Sequence, residues 1–100
     1  MKARNIIGPK VSWHRNRLGW SQDMLAAKLQ ILGMEKISRA KVSKIEAQII
    51  WVSDGDLYYL AEVLNICVDD LYPESLRNPR MLANNMQELR ERRSVKKGRF

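Results

Sequence analysis

Turn and capping residues divide residues 9–72 into short segments of helical character. The signals are Pro9 at a first helical position, glycine stops at 19 and 33, serine N-caps at 21, 38 and 53, and an asparagine stop at 65. No segment has the alternating pattern of a strand. The spacing predicts five short helices, at about 9–18, 22–32, 39–47, 54–64 and 68–72, packed as a compact all-α domain.

The apolar residues of these helices recur at three- and four-residue spacing, which predicts one inward stripe on each helix. The stripes are Val11 and Leu18 in the first helix, Leu25, Ala26, Leu29 and Leu32 in the second, Val42 and Ile45 in the third, and Leu57, Leu60, Ala61 and Leu64 in the fourth. Arg15 interrupts the first stripe, and a charge in that position requires a carboxylate partner.

The composition excludes several classes of protein. The 100 residues, 45% of them hydrophobic, suit one packed domain. One cysteine (Cys67) and one histidine (His14) cannot form an internal disulfide or a zinc-finger set. The longest apolar run, residues 49–52, is far shorter than the roughly 20 residues of a membrane helix. We therefore expect a cytoplasmic, non-enzymatic protein with no metal, cofactor, small-molecule ligand or membrane association.

The net charge of +7 is unevenly distributed along the chain. Residues 1–50 carry ten Lys and Arg against three acids, for +7; residues 51–75 carry six acids and no Lys or Arg, for −6; and residues 76–100 carry eight basic residues and two acids, for +6. This segregation favours one face for a polyanion, most commonly nucleic acid, over an acidic membrane or chance clustering on a solvated surface.

The second and third helices form a helix-turn-helix candidate, because the third is basic, capped by Ser38 and preceded by a glycine turn. In that geometry the N-terminal part of the third helix enters the major groove. Arg39 is then placed to bind guanine, Ala40 to touch a thymine methyl, and Lys44 to reach a base or a phosphate. Lys41 and Ser43 are assigned to the DNA backbone, as are Ser38 and Gln48 at the ends of the helix.

Three segments in this order resemble the lambda-repressor-like helix-turn-helix family of the Cro and xenobiotic-response-element type. They are SQDMLAAKL (21–29), ISRAKVSKIE (37–46) and L..LA..LNICVDDL (57–71), and the resemblance covers about residues 6–72. It implies a DNA-binding transcriptional regulator, a repressor acting as a homodimer. It also implies that Gln22 binds a phosphate and braces the third helix, that Ala26 lets the two motif helices approach closely, and that Arg15 pairs with Glu46. A plain exposed acid is the alternative for Glu46.

The chain departs from the family pattern at three places. Residues 30–35 are about six more than is common, which predicts an extended second helix. Ala47-Gln48 stands where a glycine is usual, so the turn after the third helix requires another construction. The following loop, Ile49-Ile50-Trp51, supplies no cation, and its apolar residues either pack beneath the third and fourth helices or join a dimer contact. We expect Val52 and at least one of the two isoleucines in the core and leave Trp51 open.

We expect a DNA-binding domain at residues 1–75 and a basic C-terminal helix and tail at 76–100, with the helix at about 79–93. Such a helix is marginal alone and needs a partner, either the domain, a second copy or another protein. Two other functions remain open: an antitoxin that holds a toxin through the tail, and a protein-interaction or RNA-associated adaptor that does not read DNA. Trp13 is either a partly covered aromatic residue or a phosphate or dimer contact, while His14 has no metal partner.

Overall fold

Four α-helices and two 3-10 helices make up the part of the chain that the structure describes. This computed structural model describes residues 2–76, which contain no strand. The α-helices are α1 (Gly8–Arg17), α2 (Gln22–Leu32), α3 (Arg39–Glu46) and α4 (Asp54–Leu64), and the 3-10 helices span Val68–Leu71 and Glu74–Leu76. The predicted all-helical class is confirmed for these residues.

The predicted count of five helices is not reached, because the fifth segment is a 3-10 helix of four residues. Pro73 follows closely and cannot donate the backbone hydrogen bond that an α-helix would continue with. A tighter 3-10 turn suits so short a piece. The sixth helix, expected at about 79–93, lies outside the described residues.

The predicted caps and stops build the N-terminal ends of α2, α3 and α4 and the C-terminal ends of α1, α2 and α4. The side chains of Ser21, Ser38 and Ser53 accept hydrogen bonds from the backbone N–H groups three residues later, at 3.1, 3.2 and 3.1 Å. After α1, Gly19 has a φ of 74°, and the N–H of Trp20 donates to the Arg15 carbonyl at 3.1 Å. Asn65 adopts the left-handed conformation after α4. These groups satisfy amides and carbonyls that a helix end leaves unpaired.

The core lies where α2 packs on α3 and α4 while α1 closes over α3. Its fully buried side chains come from α1–α4 and the first 3-10 helix; the largest are Val11, Leu25, Leu29, Val42, Ile45, Leu60 and Leu71. Two residues of the predicted stripes differ, since Leu18 is 46% exposed and Leu32 is 41% exposed. Each lies at the end of its helix, where the chain turns away from the core.

Candidate nucleic-acid interface

The outward face of α3 carries the residues predicted to read bases. Arg39, Ala40 and Lys44 are exposed, as is Ser43, while Val42 and Ile45 on the opposite face are each 1% exposed. Lys41 is half-buried at the edge. Within residues 2–76, the Arg39 guanidinium and the Lys44 ammonium have no hydrogen-bond or ion-pair partner. Among the described residues, neither of these two cations on the short α3 helix takes part in an intramolecular polar contact.

A nearly buried ion pair joins the end of α3 to α1. Arg15 Nε lies 2.7 Å from Glu46 Oε2, and Arg15 Nη2 lies 3.0 Å from Glu46 Oε1. The two side chains are only 11% and 8% exposed. Arg15 Nη1 also donates to the Trp20 carbonyl at 2.7 Å. A carboxylate and a guanidinium bonded in this two-pronged way satisfy each other's charge away from water.

The bond to Glu46 also changes the pKa of Arg15. The side-chain hydrogen bond that Arg15 donates to Glu46 raises the pKa of Arg15 above its ordinary value, while burial lowers it and coulombic attraction to Glu46 raises it further. The raised pKa favours the charged form of Arg15, which is the form that bonds to Glu46 and ties α1 to α3.

Gln22, the first residue of α2, joins the same network. Its Nε2 donates to Glu46 Oε1 at 3.1 Å, and its side chain is half-buried. One carboxylate thus receives donors from α1 and α2 while it sits on the last residue of α3. This contact braces α3 against the first motif helix. The phosphate contact expected of Gln22 remains a prediction, since the structure contains no DNA.

The turn after α3 is built on Gln48 in place of the usual glycine. Gln48 has a φ of 65°, and the N–H groups of Gln48 and Ile49 donate to the carbonyls of Ile45 and Lys44 at 3.0 and 3.1 Å. A non-glycine residue in this left-handed conformation carries a steric cost, which neighbouring contacts must offset. Gln48 Nε2 donates to the Asn5 carbonyl at 2.9 Å. The side chain assigned to phosphate is therefore engaged within the protein.

Asn5 organises the other side of that turn, and the sequence patterns did not identify it. Its Oδ1 accepts from the backbone N–H of Ile7 and Gly8, at 3.2 and 2.8 Å, and so caps the start of α1. Its Nδ2 donates to the carbonyls of Ile45 and Ile50, at 3.1 and 2.9 Å. An asparagine shortly before Gly8-Pro9 is a recognised local turn signal, but its long-range bonds leave no pattern in the sequence.

Gly8 lets the backbone of α1 rest directly on the end of α3. A Cβ placed on Gly8 would lie 2.3 Å from the Ile45 carbonyl oxygen and 2.9 Å from that of Glu46. Only a residue without a side chain permits this approach. We call Asn5, Gly8, Arg15, Gln22 and Gln48, with Glu46 itself, the α3 anchor.

The connection before α3 is packed rather than loose. α2 runs to Leu32, and Gly33 ends it with a φ of 133°. This is the extended second helix that was predicted from the additional residues 30–35. Met34 and Ile37 of the connection are buried, and Gln30 Nε2 donates to the Ile37 carbonyl at 2.8 Å. The position of Ser38 at the start of α3 is thereby fixed from α2.

The apolar loop after α3 divides between core and surface. Ile50 and Val52 pack against the core, as expected of Val52 and one isoleucine, whereas Ile49 is 47% exposed and Trp51 is 70% exposed. The Arg4 guanidinium lies over the Trp51 ring, 5.5 Å from its centroid. A cation therefore reaches a loop whose own sequence supplies none.

The remaining singled-out residues take positions outside this site. Trp13 is 52% exposed and lies between Lys10 and Arg17, whose charged groups are 5.5 and 5.3 Å from its ring centroid. His14 Nε2 is 3.2 Å from the Asp70 carbonyl oxygen. The described residues contain no cluster of potential metal ligands. None of the helices in residues 2–76 combines the length and apolar character that crossing a bilayer requires.

Comparison with known proteins identifies the fold alone. No protein-family model matches the chain, and no curated protein matches it at a significant level. Among solved structures, the crystal structure of the hypothetical transcription factor NHTF from Neisseria superposes with a TM-score of 0.61 at 22% sequence identity. The match covers 76% of this chain and 84% of that one. The chain therefore has a fold like that of a protein described as a transcription factor.

Proposed function

We propose that this protein is a sequence-specific, double-stranded-DNA-binding transcriptional regulator of the lambda-repressor-like, xenobiotic-response-element type. The observation that carries the proposal is that Arg39 and Lys44 are exposed and unpartnered within residues 2–76, on a helix whose last residue is held by the α3 anchor. The likeness to a hypothetical transcription factor supports the same class. The role is one of binding rather than catalysis, in the cytoplasm.

The helix at about 38–47 enters the major groove by its N-terminal end. Arg39 donates to guanine O6 and N7, Ala40 touches a thymine methyl, and Lys44 reaches a base or a phosphate. Ser38, Lys41 and Ser43 bind phosphates beside the groove, with Gln22 at the start of α2. For Gln48 a phosphate contact requires either its second amide hydrogen or release from Asn5, because one N–H is already bonded.

The protein acts as a repressor and binds as a homodimer. Two copies related by twofold symmetry place their α3 helices about 34 Å apart, one turn of the duplex, on a roughly palindromic operator. For a repressor of this kind, occupancy of the operator is itself the output.

Selection of bound duplexes from a random pool, repeated across a salt series, tests the proposal. We expect one enriched motif with twofold symmetry and half-sites about 10 base pairs apart. Affinity should fall steeply with salt, with a log–log slope of about −0.9 for each phosphate neutralised. Enrichment of no motif, or equal binding of single-stranded RNA in competition, would instead support an adaptor. Recovery of one stoichiometric protein through residues 78–100 would point to an antitoxin.

A further inference from the structure

Residues 2–5, the N-terminal strap, lie along the end of α3 and carry two exposed cations, Lys2 and Arg4. The strap is held by backbone and amide groups: the Arg4 N–H donates to the Gln48 carbonyl at 2.9 Å, and Asn5 bonds to Ile45, Ile50 and Gln48. These bonds are sufficient to position the strap. The side chain of Arg4 is therefore not needed to hold it.

The Arg4 guanidinium instead lies over the Trp51 ring, with its carbon 5.5 Å from the ring centroid. Cation–π attraction to the ring uses no hydrogen-bond acceptor, so the guanidinium N–H groups can still bind a phosphate with two parallel hydrogen bonds. Within residues 2–76, Arg4 has no carboxylate partner. The aromatic platform also restricts the side chain in advance, which lowers the entropy lost when it binds a ligand.

Arg4 and Trp51 lie where they can reach the DNA strand that borders the major groove. α3 has eight residues and is therefore about 12 Å long, close to the width of the major groove. When the Arg39 end of such a helix lies in the groove, the loop after its other end reaches the sugar–phosphate strand beside it. Trp51 lies in that loop, five residues beyond Glu46.

We propose that Arg4, held over Trp51, makes a phosphate contact of its own to duplex DNA at the loop that follows α3. The inference rests on the proposed function, and it adds a segment of the chain that the helix-turn-helix itself does not include. The strap supplies the cation that the Ile49-Ile50-Trp51 sequence lacks. The contact is to the backbone, so it strengthens binding without selecting a base.

The test measures affinity by fluorescence anisotropy on the selected duplex and on an unrelated one, between about 50 and 200 mM salt. For Arg4→Ala we expect roughly two- to fivefold weaker binding to both duplexes and a salt slope smaller by about 0.9 per protomer. Arg4→Lys should keep the slope, because it keeps the charge. Trp51→Ala should weaken binding with the slope kept, and should make a further Arg4→Ala change less costly.

Lys10→Ala is the matched control, since it removes one cation that already pairs with Glu74 at 3.2 Å. It should leave the slope unchanged. A wild-type slope in Arg4→Ala overturns the contact, and so does a loss confined to the selected duplex. A change of oligomeric state in sedimentation would likewise overturn it, by making this surface an interface between copies. If the wild-type protein binds no duplex, the proposed function fails as well; if it binds and Arg4→Ala binds equally, only the strap contact fails.

Discussion

The two ends of α3 are held in different ways. At the C-terminal end, the α3 anchor draws on the strap, α1 and α2, and it includes an ion pair whose side chains are about one-tenth exposed. At the N-terminal end, the fixed elements are the Ser38 cap and the packed connection through Ile37. Arg39, next to the cap, is exposed and unpartnered within the described residues.

The residues that hold α3 in place are therefore different from the residue that we propose binds a DNA base. A side chain that binds a base must keep its donors unpaired in the free protein, so it cannot also hold the helix in place. The anchor takes over that task at the far end of the helix, roughly 12 Å away. Substitutions at the anchor should therefore change folding, whereas substitution of Arg39 at the exposed end should change binding with folding unaffected.

The largest effect is expected from Glu46→Ala. It leaves the Arg15 guanidinium nearly buried without its carboxylate and removes the acceptor of Gln22. Loss of one partner of such a pair typically costs about 3–5 kcal/mol. Urea denaturation followed by circular dichroism measures the free energy of unfolding. The matched control is Glu62→Ala on α4, an exposed acid whose removal should change stability by less than about 0.5 kcal/mol.

A double-mutant cycle of Arg15 and Glu46 tests whether the predicted loss of stability comes from the pairing of the two side chains. Once Glu46 is gone, Arg15→Ala should cost far less than it does in the wild-type protein, because the unpaired charge is removed with it. Additive losses would mean that the two side chains act separately, and the C-terminal end would not be anchored by their pairing.

Gly8→Ala tests the backbone contact of the anchor. The added methyl would meet the Ile45 carbonyl oxygen, so α1 must move away from α3, at a cost of about 1–3 kcal/mol in unfolding free energy. Gly55→Ala on α4 is the matched control, because its Cβ has only Ser53 Oγ nearby, at 3.8 Å. There we expect a gain of up to about 1 kcal/mol from helix propensity. Equal effects at both positions would show that the close approach is unimportant.

Arg39→Ala tests the exposed end. We expect about 1–3 kcal/mol weaker binding to the selected duplex and a relaxed preference at one base position, with the unfolding free energy changed by less than about 0.5 kcal/mol. Anisotropy on a panel of single-base variants of the selected site measures both the affinity and the preference. Unchanged affinity and selectivity would show that Arg39 does not bind a base in the major groove.

Local sequence patterns predicted the structure at the exposed N-terminal end of α3 better than the contacts at its anchored C-terminal end. The serine caps and the inward pair Val42 and Ile45 follow from residue type and spacing, and they appear in the structure as predicted. Arg15 was found because one charge interrupts an apolar stripe, a local irregularity that demands a partner. Its carboxylate came from the family resemblance, 31 residues away along the chain.

The contact between Asn5 and Gln48 could not be found in this way. The two residues lie 43 positions apart, and their bond uses a backbone carbonyl, which every residue possesses, so the pairing leaves no pattern in the sequence. Gln48 also occupies a left-handed position normally signalled by glycine or asparagine. The exposure of Leu18 and Leu32 has a related cause, since periodicity describes the middle of a helix and not the direction in which the chain leaves it.

The smallest effect is expected from Ser38→Ala, which removes the cap at the exposed end. The Ser38 Oγ accepts from the Lys41 N–H at 3.2 Å, and loss of such a cap costs about 1 kcal/mol. Ser38→Asn should restore the stability, because asparagine caps equally well. Ser43→Ala, in the exposed middle of α3, is the control and should be neutral or slightly stabilising. If Ser38→Ala has the same free energy of unfolding in urea as the wild type, the packed connection through Ile37 alone holds this end of α3. The two ends of α3 would then differ even more in the number of contacts that hold them.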